Sequence, residues 1–489
     1  MDRRPYDVGR AKQVFIDWGL IEPGYGVGWR DGRPCPWEMP YGVKIAVHRP
    51  RVDAQPLISS DRPWEGSINV YSTLLEEGGT YRLYYECYGR GRASEPGDSK
   101  AMLAYSESTD GLSWQKPTIG HVSFRGSKQN NLVYARDATL GRGASGASVF
   151  KDPSAPTDER YKLVHVGSEQ GQPCVFGAVS PDGLRWRALE KPLIRGYKSD
   201  TQTVVLFDRG RGRYVGYFRG WERLGDGGWS GRRTIAYAET DRFENWPIPR
   251  TIVALDATDE PDVDIYTNAY VRWPRAANAH LMFPTLYRRG PDVMQVHLMV
   301  SRDGVDWQRP SREPLIPSGE PGSGWEGGVY AGRGLTSFNP GELALVIGPR
   351  WHTHNQARFP AERQGDLPSR GYLCCARWRE DGFTSVEATT EGRCTTVPLS
   401  FAGHELTVNA WTRFGGEMRV GVVEALGPEM SDTRPVEGYT IDECDPISGD
   451  ALKQTVTWNG RSDLKAWAGR PIRLRFLLRR ARLHAFQFV

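Results

Sequence analysis

The stretch Ser106-Glu-Ser-Thr-Asp-Gly-Leu-Ser-Trp114 constrains the fold of this chain more than any other, because the chain repeats it. Ser180-Pro-Asp-Gly-Leu-Arg-Trp186 and Ser301-Arg-Asp-Gly-Val-Asp-Trp307 are close copies. Ala236-Tyr-Ala-Glu-Thr-Asp-Arg-Phe-Glu-Asn-Trp246 is one residue longer, and Arg379-Glu-Asp-Gly-Phe383 lacks the Trp. The aspartates fall at 110, 182, 241, 303 and 381, with spacings of 72, 59, 62 and 78 residues. Each copy ends a strand of alternating character. Asp-Gly accepts positive φ and hence a tight turn, and the Trp that follows can fold back over the hairpin. Another strand pattern precedes each copy, at 81–85, 161–164, 214–218, 281–283 and 343–346. Units of three or four short strands at this period predict an all-β, five-bladed β-propeller. Unrelated hairpins in a sandwich are the alternative, disfavoured by the recurrent order of strand, Asp-Gly and Trp.

The expected organisation is an N-terminal extension over 1–55 that packs on the propeller and helps to close it, a propeller over 56–390, and a β-sandwich over 391–489. The blades are placed at about 61–124, 131–192, 198–252, 256–312 and 324–388. Past Gly392 the strands alternate without the Asp-Gly/Trp signature, which separates the last region from the rest.

Bulk composition excludes several classes. A net charge of +4 from 63 basic and 59 acidic residues, spread along the chain, gives no footprint for nucleic acid or for a membrane surface. Seven scattered cysteines without a Cys-x-x-Cys pair suggest neither a disulfide framework nor a zinc site. The start Met1-Asp-Arg-Arg-Pro-Tyr-Asp carries charge without an apolar stretch behind it, so no signal peptide is expected and the chain reads as cytoplasmic. Walker A, dinucleotide, Gly-x-Ser-x-Gly and His-Glu-x-x-His motifs are absent, and no cofactor is expected.

In a propeller the loops entering the innermost strands ring one mouth, where side chains from every blade converge. Those positions here carry acids and aromatics: Asp61, Arg62, Trp64 and Glu65 on blade one, Asp137 on blade two and Asp200 on blade three. Blade four carries Asp262 and Asp264, and blade five Trp325 and Glu326. Trp-Glu-Gly occurs at 64–66 and again at 325–327, the equivalent point of another blade. Carboxylates gathered at one mouth repel, so at least one should have a raised pKa. A protonated acid beside an ionised one, between indole walls, suits glycosidic bond cleavage. Gln202, Arg219, Tyr266, Asn268, Arg288, Tyr330, His352 and His354 are candidates to bind hydroxyls or a carboxylate. The Asp-Gly aspartates are read as structural, and so is Asp152 in Phe150-Lys-Asp-Pro153. His352 and His354 lack a third ligand in sequence, so a metal is not expected there.

Blade number, acidic inner-strand starts, Ser-x-Asp-Gly-x-x-Trp hairpins and the appended sandwich together resemble the five-bladed propeller glycoside hydrolases of families 32, 43 and 68. The resemblance implies a nucleophile or base on blade one, matched by Glu65 or Asp61, and an Asp on blade two, matched loosely by Asp137 or Asp152. It also implies a Glu acid on a later blade, where blade three offers Asp200. The family 32 Trp-Met-Asn-Asp-Pro-Asn-Gly motif is absent, which counts against fructan specificity and marks a divergent relative.

The expected activity is a glycoside hydrolase that removes a terminal sugar, from a furanoside or another glycoside, at the non-reducing end of an oligosaccharide. Glu65 is the expected base or nucleophile and Glu326 the general acid, with Asp200 and Asp264 tuning pKa or binding hydroxyls. Two alternatives stay open: a phosphorylase or transglycosylase whose phosphate cradle draws on Arg62, Arg219, Arg288 and Arg289, and a non-catalytic sugar-binding propeller.

Overall fold

The computed structural model describes residues 5–23, 29–30, 33–34, 39–89, 101–135, 144–222, 231–355, 371–426 and 433–489. Among them the chain is nearly all-β, with three short 3-10 turns and no longer helix.

The first three sequence repeats each build an antiparallel unit whose strands follow one another in chain order. In the first, Ser67–Glu77 pairs with Thr80–Tyr88, then Met102–Ser108, then Leu132–Tyr134. The second runs Ser148–Lys151, Tyr161–Glu169, Gln172–Ser180 and Arg187–Ala188, and the third Val204–Asp208, Arg213–Trp221, Arg233–Thr240 and Arg250–Val253. The fourth unit is broken into two small pieces, one around Val263–Ile265 and Thr285–Arg288, the other around His280–Met282 and Met299–Ser301. The fifth is Gly328–Thr336, Glu342–Arg350 and Tyr372–Arg379, and its outermost strands come from the N-terminal segment, Arg51–Val52 and Ile58–Ser59. Strands from before the first unit therefore pair at the outer edge of the last one, Arg51–Val52 within the expected extension and Ile58–Ser59 just beyond it.

The apolar faces pack between consecutive units, not within them. Leu103, Tyr105, Val149 and Leu163 join the first to the second, Phe150, Val164, Val205 and Phe218 the second to the third. Val215, Tyr217, Ile265 and Met282 join the third to the fourth, and Leu281, Phe283, Val329 and Leu345 the fourth to the fifth. Leu83, Tyr85, Val346 and Leu373 join the fifth back to the first. The inner strands of these last two touch directly through a parallel bridge, Arg333 to Thr73.

The Asp-Gly hairpins are the joints between units. Asp110 Oδ1 accepts the amides of Leu112 and Ser113 at 2.7 Å each, and Asp182 and Asp303 repeat this geometry at 2.8–2.9 Å. Each following Trp donates its indole N–H to the carbonyl of the turn Gly: Trp114 to Gly111, Trp186 to Gly183 and Trp307 to Gly304. Those glycines have φ between +71° and +79°, and a Cβ on them would lie 2.2 Å from Phe338, 2.5 Å from the Tyr84 hydroxyl and 2.8 Å from the Tyr217 hydroxyl. Glycine is needed twice over, for the left-handed turn and for the aromatic of the preceding unit that lies against it. Asp152 is buried and accepts from the Tyr214 hydroxyl and the Ser154 amide. Asp381, the decayed copy, binds Lys12 and the Trp273 indole, and so fastens the N-terminal segment to the fourth and fifth units.

The remaining chain forms a nine-stranded sheet around its own core. Its long strands are Leu406–Ala425 and Ile472–Phe488, paired along most of their length. The strand Thr384–Thr395 runs unbroken through the expected boundary at 390 and belongs to this sheet. Tyr6–Gly9, Gln13–Val14 and Lys44–Val47 complete it, so the first residues serve both parts of the molecule. No helix among the described residues is long and apolar enough to cross a membrane.

Candidate functional site

The N-terminal ends of the inner strands bring together side chains from several units. Val70 and Tyr71 of the first, Tyr287 and Met294 of the fourth and Tyr330 of the fifth form one small cluster, with Tyr266 packed on it. Tyr266 lies edge-on to Tyr287 and Tyr330 at ring centroid distances of 6.2 and 6.1 Å. His354 stands 4.9 Å from both the Tyr266 and Tyr287 rings, and its Nδ1 is 3.2 Å from the Tyr330 hydroxyl. His352 hydrogen-bonds the Thr353 carbonyl instead, and burial holds it below the usual histidine range. No group of three or more potential metal ligands occurs among the described residues.

From the third unit, Arg219 enters this mouth. Its side chain is 1% exposed, yet it binds Asp200, whose side chain is 43% exposed. A second guanidinium N–H of Arg219 donates to the Tyr266 carbonyl at 2.5 Å, and the guanidinium carbon sits 4.7 Å over the Tyr266 ring. A carboxylate held by a buried cation is oriented while remaining open to solvent. Thr201, next to Asp200, reaches the Tyr71 hydroxyl at 3.5 Å, and Tyr71 is within electrostatic range of Tyr266, Arg219 and Glu86.

Glu86 was not among the expected site residues. It is fully buried on Thr80–Tyr88, where Oε1 accepts from the Asn69 amide (2.7 Å) and the Tyr88 hydroxyl (2.6 Å), and Oε2 from the Gly146 amide (2.7 Å). Burial outweighs these bonds and raises its pKa. Among the carboxyl groups of this region, the upward shift falls on this residue. The one signal for it in the sequence is an acid within the aromatic run Tyr84-Tyr85-Glu86-Cys87-Tyr88.

Several expectations need correction. Glu65 does not face the mouth. It is 0% exposed, with Oε2 bound to Lys116 (2.8 Å) and to the amides of Asp61 and Arg62 (3.1 and 3.2 Å), and Oε1 to the Tyr85 hydroxyl (2.6 Å). Lys116 also pairs with Asp61 at 2.7 Å, and Arg62 stands on the exposed side of Asp61. Trp64 donates to Asn131 at 2.7 Å and packs on the cluster between the fifth and first units. Its counterpart Trp325 packs between the fourth and fifth, and Glu326 accepts the Gly324 amide of its own loop at 2.8 Å. Both Trp-Glu-Gly copies thus place the indole at a joint and use the carboxylate to hold loop amides, a structural reason for the repetition.

Asp264 is buried too, clamped by Arg233 (2.8 Å) and Arg289 (2.7 Å). Burial pushes its pKa up, but the two arginines and the Arg233 amide outweigh it and hold the group below its usual range. It anchors cations and does not add to acid crowding. Gln202 ties the carbonyls of Ser72 and Ala147 together at 2.9 Å each, and Asn268 reaches the carbonyls of Gln202 and Tyr217. Both are buried struts between units. Arg288 pairs with Glu260 on the rim. Asp137 lies outside the described residues.

No family model matches the chain. Two uncharacterized proteins of Mycobacterium tuberculosis are each 26% identical to it over 197 residues, 37% of this chain and 58% of theirs, so the chain spans little more than half the length of these curated relatives. A solved glycoside hydrolase covers 68% of this chain and 92% of its own, at 12% identity and a TM-score of 0.49. A putative glycosidase from Bacteroides thetaiotaomicron covers 67% and 96% at 14% identity and 0.42. A thermostable family-43 glycoside hydrolase covers 67% and 96% at 12% identity and 0.42. The structural neighbours of this divergent all-β chain are glycoside hydrolases.

Proposed function

We propose that the five units close as a five-bladed β-propeller, that the region after it is a β-sandwich, and that the mouth cleaves a terminal sugar from a glycoside by paired-carboxylate chemistry. One observation carries this reading. The solvent-accessible Asp200 is ion-paired to the buried Arg219 beside Tyr266, and Glu86, buried with a raised pKa, lies within electrostatic range of Tyr71, which Thr201 reaches from next to Asp200. Glycosidic bond cleavage needs such a division, one carboxylate as base or nucleophile and one neutral acid holding a proton. Asp200 takes the first role because it is ion-paired, oriented and exposed. Glu86 is assigned the second, a role that requires its carboxyl, 0% exposed among Asn69, Tyr88 and Gly146, to be uncovered when substrate binds. Tyr266, Tyr330 and Trp221 supply aromatic faces for a sugar ring.

Aryl glycosides and furanosides, screened across a range of pH with the wild-type chain and D200N, test this reading. Release of aryl alcohol by the wild type and its loss in a folded D200N support it. Binding of glycans without release of sugar over days points to a non-catalytic lectin-like role instead.

A further inference from the structure

The wall of the mouth between the third and fourth units holds more positive charge than the catalytic proposal requires. Trp221 ends the strand Arg213–Trp221, and three cations lie over its ring: Lys198 at 4.8 Å, Arg219 at 5.7 Å and Arg233 at 5.4 Å. Arg219 and Arg233 also share the Tyr266 ring, at 4.7 and 5.2 Å. Arg289 approaches the same place through Asp264, which it binds with two N–H groups at 3.0 and 2.7 Å.

Four cations thus meet two carboxylates, Asp200 and Asp264. The other acids nearby are committed elsewhere: Glu222 to Arg232 at 2.7 Å, Glu260 to Arg288, and Asp292 to the Tyr287 hydroxyl and the Asn355 amide at 2.7 Å each. Lys198 has no ion pair recorded among the described residues, and the Nε atoms of Arg219 and Arg233 are buried without a hydrogen-bond partner there. Clustering like charges on shared aromatic faces costs free energy unless an anion joins them. Cation–π contacts offset part of that cost, and the Lys198 ammonium together with the N–H groups that Arg233 and Arg289 do not give to Asp264 can meet an oxyanion.

Resting on the reading that this mouth accepts sugars, we infer that its substrate carries an anionic group on the sugar, a carboxylate as in a uronic acid, seated against Lys198, Arg233 and Arg289 beside Trp221. The aromatic face then packs on the ring while the cations take its carboxylate. Arg219, already bound to Asp200 and to the Tyr266 carbonyl, places the reactive carboxylate next to that seat.

The test is calorimetric binding of four ligand types to the full chain: glucuronate and galacturonate, their methyl esters, glucose and galactose, and inorganic phosphate. The expected result is binding of a free uronate at least about tenfold tighter than its neutral methyl ester and parent sugar. K198M should remove most of that preference while leaving the thermal unfolding midpoint near wild type, and R289K, which keeps a cation beside the buried Asp264, should weaken it. Equal binding of neutral and charged sugars overturns the inference and leaves the glycosidase reading standing. Phosphate binding without uronate binding also overturns it, because the anion is then a free co-substrate and the phosphorylase alternative gains. Failure of every sugar and every anion to bind sinks both.

Discussion

Arg219 and Asp200 form an ion pair in which the guanidinium is buried and the carboxylate is open to solvent. The arginine is fixed from behind by the Tyr266 carbonyl and ring, so Asp200 can present a charged oxygen without choosing among rotamers. That is the geometry a base or nucleophile needs. D200N keeps the shape and removes the charge. It is expected to lower kcat by about 10²–10⁴-fold, the usual range for a positioned acid or base, with the thermal midpoint little changed. Steady-state kinetics beside thermal unfolding of both proteins check this.

Glu86 makes the prediction about pH. Its folded pKa is raised, chiefly by burial. The neutral form is therefore kept to higher pH than in an ordinary Glu, and turnover should fall as pH rises through the raised value. The stability it contributes has the same sign: fully present below the unfolded carboxylate pKa and lost as pH rises through the folded one. E86Q should flatten this part of the stability–pH curve and remove the alkaline limb of kcat together with most of the activity. An alkaline limb unchanged in E86Q assigns the proton to another group.

Glu65 yields the opposite expectation. It is a buried partner of Lys116 and of two loop amides. E65Q takes from the buried Lys116 ammonium one of its two counter-ions and leaves it Asp61, a change that costs about 1–3 kcal/mol. Denaturant unfolding should show that loss, while kcat per folded molecule stays within about twofold of wild type, taking ~0.4 kcal/mol as negligible against a tenfold-per-1.36 kcal/mol scale. A large fall in kcat with intact stability restores Glu65 to the site.

The joints can be tested together. G111A, G183A and G304A each add a Cβ at positive φ against an aromatic of the preceding unit. Each should destabilise by about 1–3 kcal/mol through overpacking, with backbone strain in addition. G120A, also at positive φ but with open space around its Cβ, isolates the backbone part. Equal losses at all four positions mean that the aromatic contacts contribute nothing.

Local turn chemistry was legible because Asp-Gly and Trp act within a few residues of themselves, so their repetition exposes the units directly. The strand finishing the last unit from Arg51–Val52 and Ile58–Ser59 was legible only as an extension that packs nearby, since strand pairing over 300 residues leaves no local pattern. Repetition misled at Trp64-Glu65 and Trp325-Glu326. A motif recurs as readily for a joint as for a site, and sequence does not show that Lys116 reaches Glu65. Asp264 was misjudged for a similar reason: its partners Arg233 and Arg289 come from two other strands. Glu86 was hidden because its environment, not its neighbours in the chain, makes it unusual.

The most direct measurement is single-turnover release of sugar from the best aryl glycoside by wild type and by D200N, with circular dichroism confirming equal folding. Cleavage by the wild type and a loss of at least about 10²-fold in D200N is the expected result. Undiminished cleavage by D200N contradicts the assignment of Asp200, and with it the proposal that this mouth performs paired-carboxylate chemistry.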